Sequence, residues 1–217
     1  MHMSKQVSYI ATRIILSLLI SFGGLLSFQS LQGQSFGLSR LDLKGASLTH
    51  PTSLDFGPDG KLYVAVENGQ IYAIEVERSA ANDYSIKNID NIHLVQEIPN
   101  HHEDGSLAPE INNRKVNGLI LAGTPEKPVI YVSSYDPRDG VSGNGDMNLD
   151  TNSGIISKLN WTGEIWEIIH LVRGLPRGKE KHGSNGLALS LNGKTLFVAQ
   201  AGHTNAGAPS QAFALSS

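Results

Sequence analysis

The sequence predicts an all-β fold, and three observations support that prediction. The 217-residue chain contains 23 glycines and 9 prolines, which favour turns between short strands. Apolar and polar residues alternate in several segments, as they do in half-buried strands, and no segment after residue 33 shows a long helical period. Finally, one motif of two strands joined by a turn occurs three times, which is typical of a propeller or a solenoid.

Each copy of the repeated motif has a small polar pair before a leucine, then alternating apolar residues, a Gly or Pro turn and a second apolar strand. The copies occupy residues 51–77, 116–136 and 184–203. The anchoring leucines are 65 and 68 residues apart along the chain: Leu54, Leu119 and Leu187. A spacing this regular indicates that the three copies are equivalent structural units.

The turns within the repeats carry residues that accept positive φ. Asp-Gly in the "GPDG" of residues 57–60 and Asn-Gly in the "LNG" of residues 191–193 predict hairpin turns. A third strand is expected at residues 71–77. Two more are expected within residues 153–172, with Thr162 and Gly163 in the turn between them.

We therefore predict a β-propeller of four-stranded antiparallel blades, of which the chain holds about three. The repeats exceed common blades of about 40 to 50 residues, so long loops are expected at the rim. A β-sandwich with accidental internal similarity is the alternative. Because three blades form an incomplete ring, we expect residues 34–217 to be a fragment of a longer domain followed by further modules. Assembly of two chains into one ring is the other possibility.

The first 33 residues have the plan of a secretory signal peptide. Lys5 and Arg13 precede the uncharged apolar run of residues 14–28. A membrane anchor is the rival interpretation, but the run is shorter than the ~20 residues a bilayer needs. We therefore predict a secreted, periplasmic or bacterial cell-surface protein without a stable membrane span after cleavage. The chain has no cysteine, so disulfides cannot stabilise it.

Composition narrows the range of partners. The formal net charge of −3 provides no basic stripe, so we predict no nucleic-acid partner. The 40% hydrophobic content is ordinary for a folded domain and argues against disorder.

Two loops carry side chains that could bind metal. Asp146, Asn148 and Asp150 alternate as oxygen ligands do at the start of an EF-hand loop, although Thr151 and Ser157 break that motif further on. A looser calcium site is one interpretation, and an Asx-rich turn that satisfies its own backbone is the other. Residues 99–105 place two adjacent histidines beside two acids, but zinc needs three or four ligands at fixed geometry and adjacent histidines on a loop rarely both bind one ion. That loop is therefore predicted to be solvated.

The third copy resembles the glucose/sorbosone dehydrogenases. The resemblance lies in a histidine followed by "NGL", a turn, an aliphatic–aromatic strand and a Gly/His/Asn-rich loop, within residues 182–207. The segments at 145–161, 171–176 and 202–210 are similar to large secreted bacterial proteins that carry such a propeller at the front. The resemblance extends from about residue 48 to the end. It implies a propeller that oxidises sugars with pyrroloquinoline quinone (PQQ) and calcium.

The resemblance places His182 at the position of the general base. A neutral imidazole there would accept the proton of a sugar hydroxyl. His203 and Asn205 could hydrogen-bond the anionic cofactor. However, residues 199–207 contain no acid that would orient the base, and a rim histidine bonded to a neighbouring carbonyl is the simpler alternative.

The sequence is therefore consistent with three candidate functions. The first is a quinone-dependent sugar dehydrogenase. The second is a non-catalytic propeller module that binds a glycan or a protein. The third is a calcium-dependent lactonase-type propeller, in which the metal would polarise an ester carbonyl.

Overall fold

The computed structural model describes residues 48–140, 148–178 and 182–201. These residues form strands and turns and contain no helix, so the all-β prediction is confirmed for them. No membrane-spanning helix is found among them. The predicted signal peptide, residues 1–33, lies outside the described residues.

The first sheet is an antiparallel meander of four strands in chain order. Its strands are β1 (Pro51–Phe56), β2 (Leu62–Val66), β3 (Ile71–Ala80) and β4 (Asp83–Ile92). The predicted turn at residues 57–60 is present, with Gly60 at φ 79°, where a side chain would be strained. Gly69, in the turn between β2 and β3, also has positive φ, at 96°. The sequence did not predict β4, because the polar residues at its exposed positions interrupt the alternation of apolar residues.

The second sheet repeats this meander. Its strands are β5 (Lys115–Gly123), β6 (Pro128–Tyr135), β7 (Gly154–Trp161) and β8 (Trp166–Leu175). The strand pair expected within residues 153–172 is therefore confirmed. The described part of the third repeat is the predicted antiparallel pair β9 (Ser184–Leu189) and β10 (Leu196–Gln200).

The first and second sheets pack face to face through one apolar core. Fully buried side chains meet there, among them Ile71 from the first sheet, Val95 from the turn after β4, and Ile130, Val132 and Leu159 from the second sheet. Burial of this kind is the main favourable contribution to folding. The core ties the two four-stranded sheets into one structural unit.

The first strands of successive sheets lie side by side, since β5 contacts both β1 and β9. The backbone amide of Leu119 donates to Ser53 Oγ at 3.2 Å, and that of Leu121 donates to Asp55 Oδ2 at 2.8 Å. On the other side of β5, a Cβ added at Gly118 would overlap the carbonyl oxygen of Asn185 in β9. Glycine is therefore required for this close approach.

Each of these first strands has one extra residue at the same repeat position. Pairing in β1 jumps from Pro51 to Ser53, and pairing in β5 jumps from Val116 to Gly118. In β9 the register shifts between Ser184 and Leu187. Such bulges bend a strand and increase its twist. The equivalence of the three copies thus extends from sequence to backbone geometry.

Two opposite edges of the sheets position the sites described below. The strand-start edge is where β1, β5 and β9 begin and where β6, β8 and β10 end. The hairpin edge is formed by the turns at the other ends of the same strands, at residues 57–61, 124–127, 162–165 and 190–195.

Candidate functional site

A buried polar cluster occupies the strand-start edge of the second sheet. Its charged members flank the strands: Arg114 directly precedes β5, Asp136 directly follows β6, and Arg138 and Arg177 lie just beyond β6 and β8. Charged side chains are rarely this buried unless they are paired and hydrogen-bonded.

Arg114 is 1% exposed and joins three segments of chain. Its guanidinium donates to Ser134 Oγ at 3.3 Å, to Asn100 Oδ1 at 3.0 Å and to the Ser153 carbonyl at 2.5 Å. Burial lowers the pKa of Arg114 to about 10, so the side chain remains a cation at neutral pH. This geometry supports a structural role for Arg114, because the groups that accept its hydrogen bonds are neutral groups of the protein.

Asp136 is fully buried and is the anion nearest to two arginines. Arg138 donates to its carboxylate at 2.5 and 2.9 Å, while Arg177 Nη1 lies 3.8 Å from Oδ1. Arg177 also donates to the carbonyls of Asp136 and Arg138, at 2.7 Å each. Burial is the main cause that lowers the pKa of Arg177. These bonds fix the chain that leaves β6 against the chain that leaves β8.

The loop with the adjacent histidines packs onto this cluster. Arg138 donates to the His101 carbonyl at 2.5 Å and lies 3.3 Å from His102 Nδ1. Glu103 accepts hydrogen bonds from the backbone amide and hydroxyl of Thr151, at 2.8 and 2.7 Å. The prediction of a solvated loop is therefore wrong for its histidines, which are half-buried. The Arg138 contacts, remote in sequence, explain the difference.

The structure places His182 at the strand-start edge, two residues before β9. The imidazole is exposed, and the His182 carbonyl accepts a hydrogen bond from the Gly178 amide. The next residue, Gly183, lies against Tyr135, where an added Cβ would come within 2.6 Å of the ring. His182 is thus fixed through its own carbonyl, which is bonded to Gly178, and through the following residue, which packs against Tyr135.

The predicted cofactor contacts His203 and Asn205 and the predicted metal ligand Asp146 lie outside the described residues. The other two predicted ligands differ in environment, since Asn148 is exposed and Asp150 is half-buried. Asp150 Oδ1 accepts a hydrogen bond from the Asn152 amide at 2.8 Å, which is the geometry of an Asx turn. Burial raises the pKa of Asp150. Across residues 48–140, 148–178 and 182–201, no three His, Cys, Asp or Glu side chains form a metal-binding group.

The sequence gives one signal for the buried cluster. Arg114 stands five residues before the anchoring Leu119, and His182 stands five residues before the equivalent Leu187. When the copies are aligned on their anchoring leucines, Arg114 and His182 therefore occupy the same position. Residues at that position lie at the strand-start edge. Asp136 and Arg177 carry no such signal, because they meet across 41 residues of sequence.

Comparisons with protein-family models, with curated proteins and with solved structures found no match. The resemblance to the sugar dehydrogenases therefore remains a prediction from sequence motifs.

Proposed function

We propose that this chain forms consecutive blades of a secreted β-propeller whose strand-start edge binds a sugar or a glycan. The observation that carries the proposal is the contact of β5 with both β1 and β9, each with a bulge at the same position. First strands of successive blades lie side by side in this way around a propeller axis. The described residues do not close a ring, so the proposal requires further blades.

The strand-start edge has the properties of a binding face. Its loops are fixed by the Arg114 and Asp136 contacts, and fixed loops hold exposed side chains in place with little loss of entropy on binding. His182 and Asn185 are exposed there. Both side chains can exchange hydrogen bonds with the hydroxyl groups of a sugar.

The three buried arginines at this edge do not fit PQQ. The carboxylates of the quinone need free cationic donors, whereas the guanidinium groups of Arg114, Arg138 and Arg177 donate to protein carbonyls, side-chain oxygens and Asp136. Lys115 is also engaged, at 2.8 Å from Glu67. For this reason the binding function is preferred to quinone-dependent oxidation.

Sugar oxidation with His182 as general base is the second candidate function. Its support is that the imidazole is exposed at the edge where a propeller ligand would bind. This candidate function would also use calcium. The amide oxygen of Asn148 and the carboxylate of Asp150 are suitable ligands for that ion.

Calorimetric titration of the full chain separates the two functions. The probes are glucose, cellohexaose and PQQ, the last with and without calcium, and the variants are His182→Ala and the control His93→Ala, an exposed histidine on another loop. Saturable sugar binding that is weakened only in His182→Ala would support the binding function. Calcium-dependent PQQ binding lost in His182→Ala would favour the dehydrogenase. Absence of both, in a chain with the circular dichroism of a folded β protein, would overturn both as functions of these blades by themselves.

A further inference from the structure

A second candidate site lies at the hairpin edge, in an open groove of 440 Å³ between the first and second sheets. This volume is within the range of small-molecule sites. The side chains that matter for binding come from both sheets: Asp59, Lys61, Tyr63, Asp90, Trp161 and Trp166.

One side of the groove is aromatic. Trp161 and Trp166 are directly opposed at the end of the β7–β8 hairpin, with ring centroids 5.5 Å apart. Trp166 also meets Tyr63 edge to face, at 6.3 Å, across the boundary between the sheets. Both indoles are only half-buried although they line the groove. The two ring planes are inclined by 51° to each other, and each ring offers an apolar surface that a ligand can cover.

The other side is polar and already ordered. Asp59 accepts hydrogen bonds from the Tyr63 hydroxyl at 2.8 Å and from the Lys61 amide at 3.3 Å. Lys61 Nζ reaches Asp90 at 3.1 Å. A Cβ at Gly57 would overlap the Asp59 carboxylate and lie 2.6 Å from the Tyr63 ring, so glycine is needed for this arrangement. The groove therefore presents fixed acceptors and one cation beside the aromatic rings.

We propose that this groove binds a pyranose unit of a neutral oligosaccharide. A pyranose has an apolar C–H face that covers an aromatic ring and a rim of hydroxyl groups that both donate and accept hydrogen bonds. The carboxylates of Asp59 and Asp90 are acceptors for those hydroxyls, and Lys61 is a donor. A cationic partner fits less well because Lys61 already neutralises Asp90. The proposal does not rest on the function assigned to the strand-start edge.

Tryptophan fluorescence of the full chain tests the proposal directly, because Trp161 and Trp166 are the only two tryptophans in the sequence. The probes are cellohexaose, maltohexaose and chitohexaose at up to millimolar concentration. We expect a saturable change in emission with at least one of them. Trp161→Ala and Asp90→Asn should each weaken that binding by about tenfold or more, with Trp166 as the reporter in the first variant.

Ile165→Ala is the matched control. Ile165 is exposed in the turn between the two tryptophans and does not line the groove, so its replacement should leave the affinity unchanged. His182→Ala should also leave the emission response intact, which separates this groove from the strand-start edge. No saturable change with any hexasaccharide would overturn the proposal. A change produced only by a lysine oligopeptide would overturn it in favour of a cationic partner.

Discussion

The strand-start edge and the hairpin edge use the same kinds of side chain in opposite ways. At the strand-start edge, Arg114, Asp136 and Arg177 are fully buried and interact with other groups of the protein. At the hairpin edge, Asp90 and Lys61 form an ion pair that is partly exposed beside two half-buried indoles. Buried charges determine the position of the loops, whereas exposed charges beside aromatic rings are available to a ligand.

Asp136→Asn should have the largest effect on stability, because it removes the carboxylate that faces Arg138 and Arg177 in the buried cluster. Removing one partner of a buried pair leaves an uncompensated charge and costs about 3–5 kcal/mol. We expect this loss in the free energy of unfolding measured by urea titration. Glu164→Gln, in the exposed turn at the hairpin edge, is the control and should change stability very little. Equal losses in both variants would contradict the contrast between the edges.

Gly118→Ala should have the next largest effect, since the added methyl group would overlap the Asn185 carbonyl and lie 2.8 Å from Ser133 Oγ. Forcing β5 and β9 apart should cost about 1–3 kcal/mol, as overpacking usually does. Gly186 occupies the same position in the third repeat, but a Cβ there meets nothing within 4 Å. Gly186→Ala is therefore the control.

The unfolding midpoints of the two alanine variants in urea decide this prediction. If both variants unfold at the wild-type midpoint, β5 and β9 do not approach as closely as the structure places them. That result would also remove the main support for consecutive blades.

Features that are local in sequence could be predicted, and those that depend on remote contacts could not. The turns at Gly60 and Gly193 and the strands of the repeats follow from alternation and turn chemistry, which operate over a few residues. The meeting of Trp166 with Tyr63, or of Arg177 with Asp136, depends on how the sheets pack. Neither indole was predicted as a site residue, because a tryptophan at a strand end is more often part of a core.

Tyr63→Phe tests the hairpin edge with a smaller expected effect. It removes the hydroxyl that donates to Asp59 but keeps the ring against Trp166. Burial and the adjacent Asp59 raise the pKa of Tyr63, so the hydroxyl stays protonated and remains a donor at neutral pH. We expect a loss of about 1 kcal/mol, since Asp59 is half-exposed and water can replace the lost donor. A loss of stability as large as that of Asp136→Asn would show that the polar groups at the hairpin edge are no more accessible to water than those at the strand-start edge.

His170 should give the smallest effect, and that effect should depend on pH. Ser157 Oγ lies 2.9 Å from His170 Nδ1, and the pKa of His170 is lowered from 6.5 by burial first and then by Arg173 and Arg114. The unfolded chain therefore binds a proton at a higher pH than the folded chain. Stability from this group is present above pH 6.5 and is lost as the pH falls through 6.5 towards the folded-state pKa.

His170→Gln keeps a hydrogen-bonding group opposite Ser157 but cannot titrate. It should therefore flatten the dependence of the urea midpoint on pH in this window, by well under about 1 kcal/mol because solvent screens a half-exposed ring. His93→Gln, at an exposed histidine outside this strand pair, is the comparison variant. A wild-type slope in His170→Gln would mean that the acid sensitivity originates elsewhere. A steeper slope would mean that the charged imidazole is stabilised beside the arginines, which is the opposite of what the geometry of this strand pair implies.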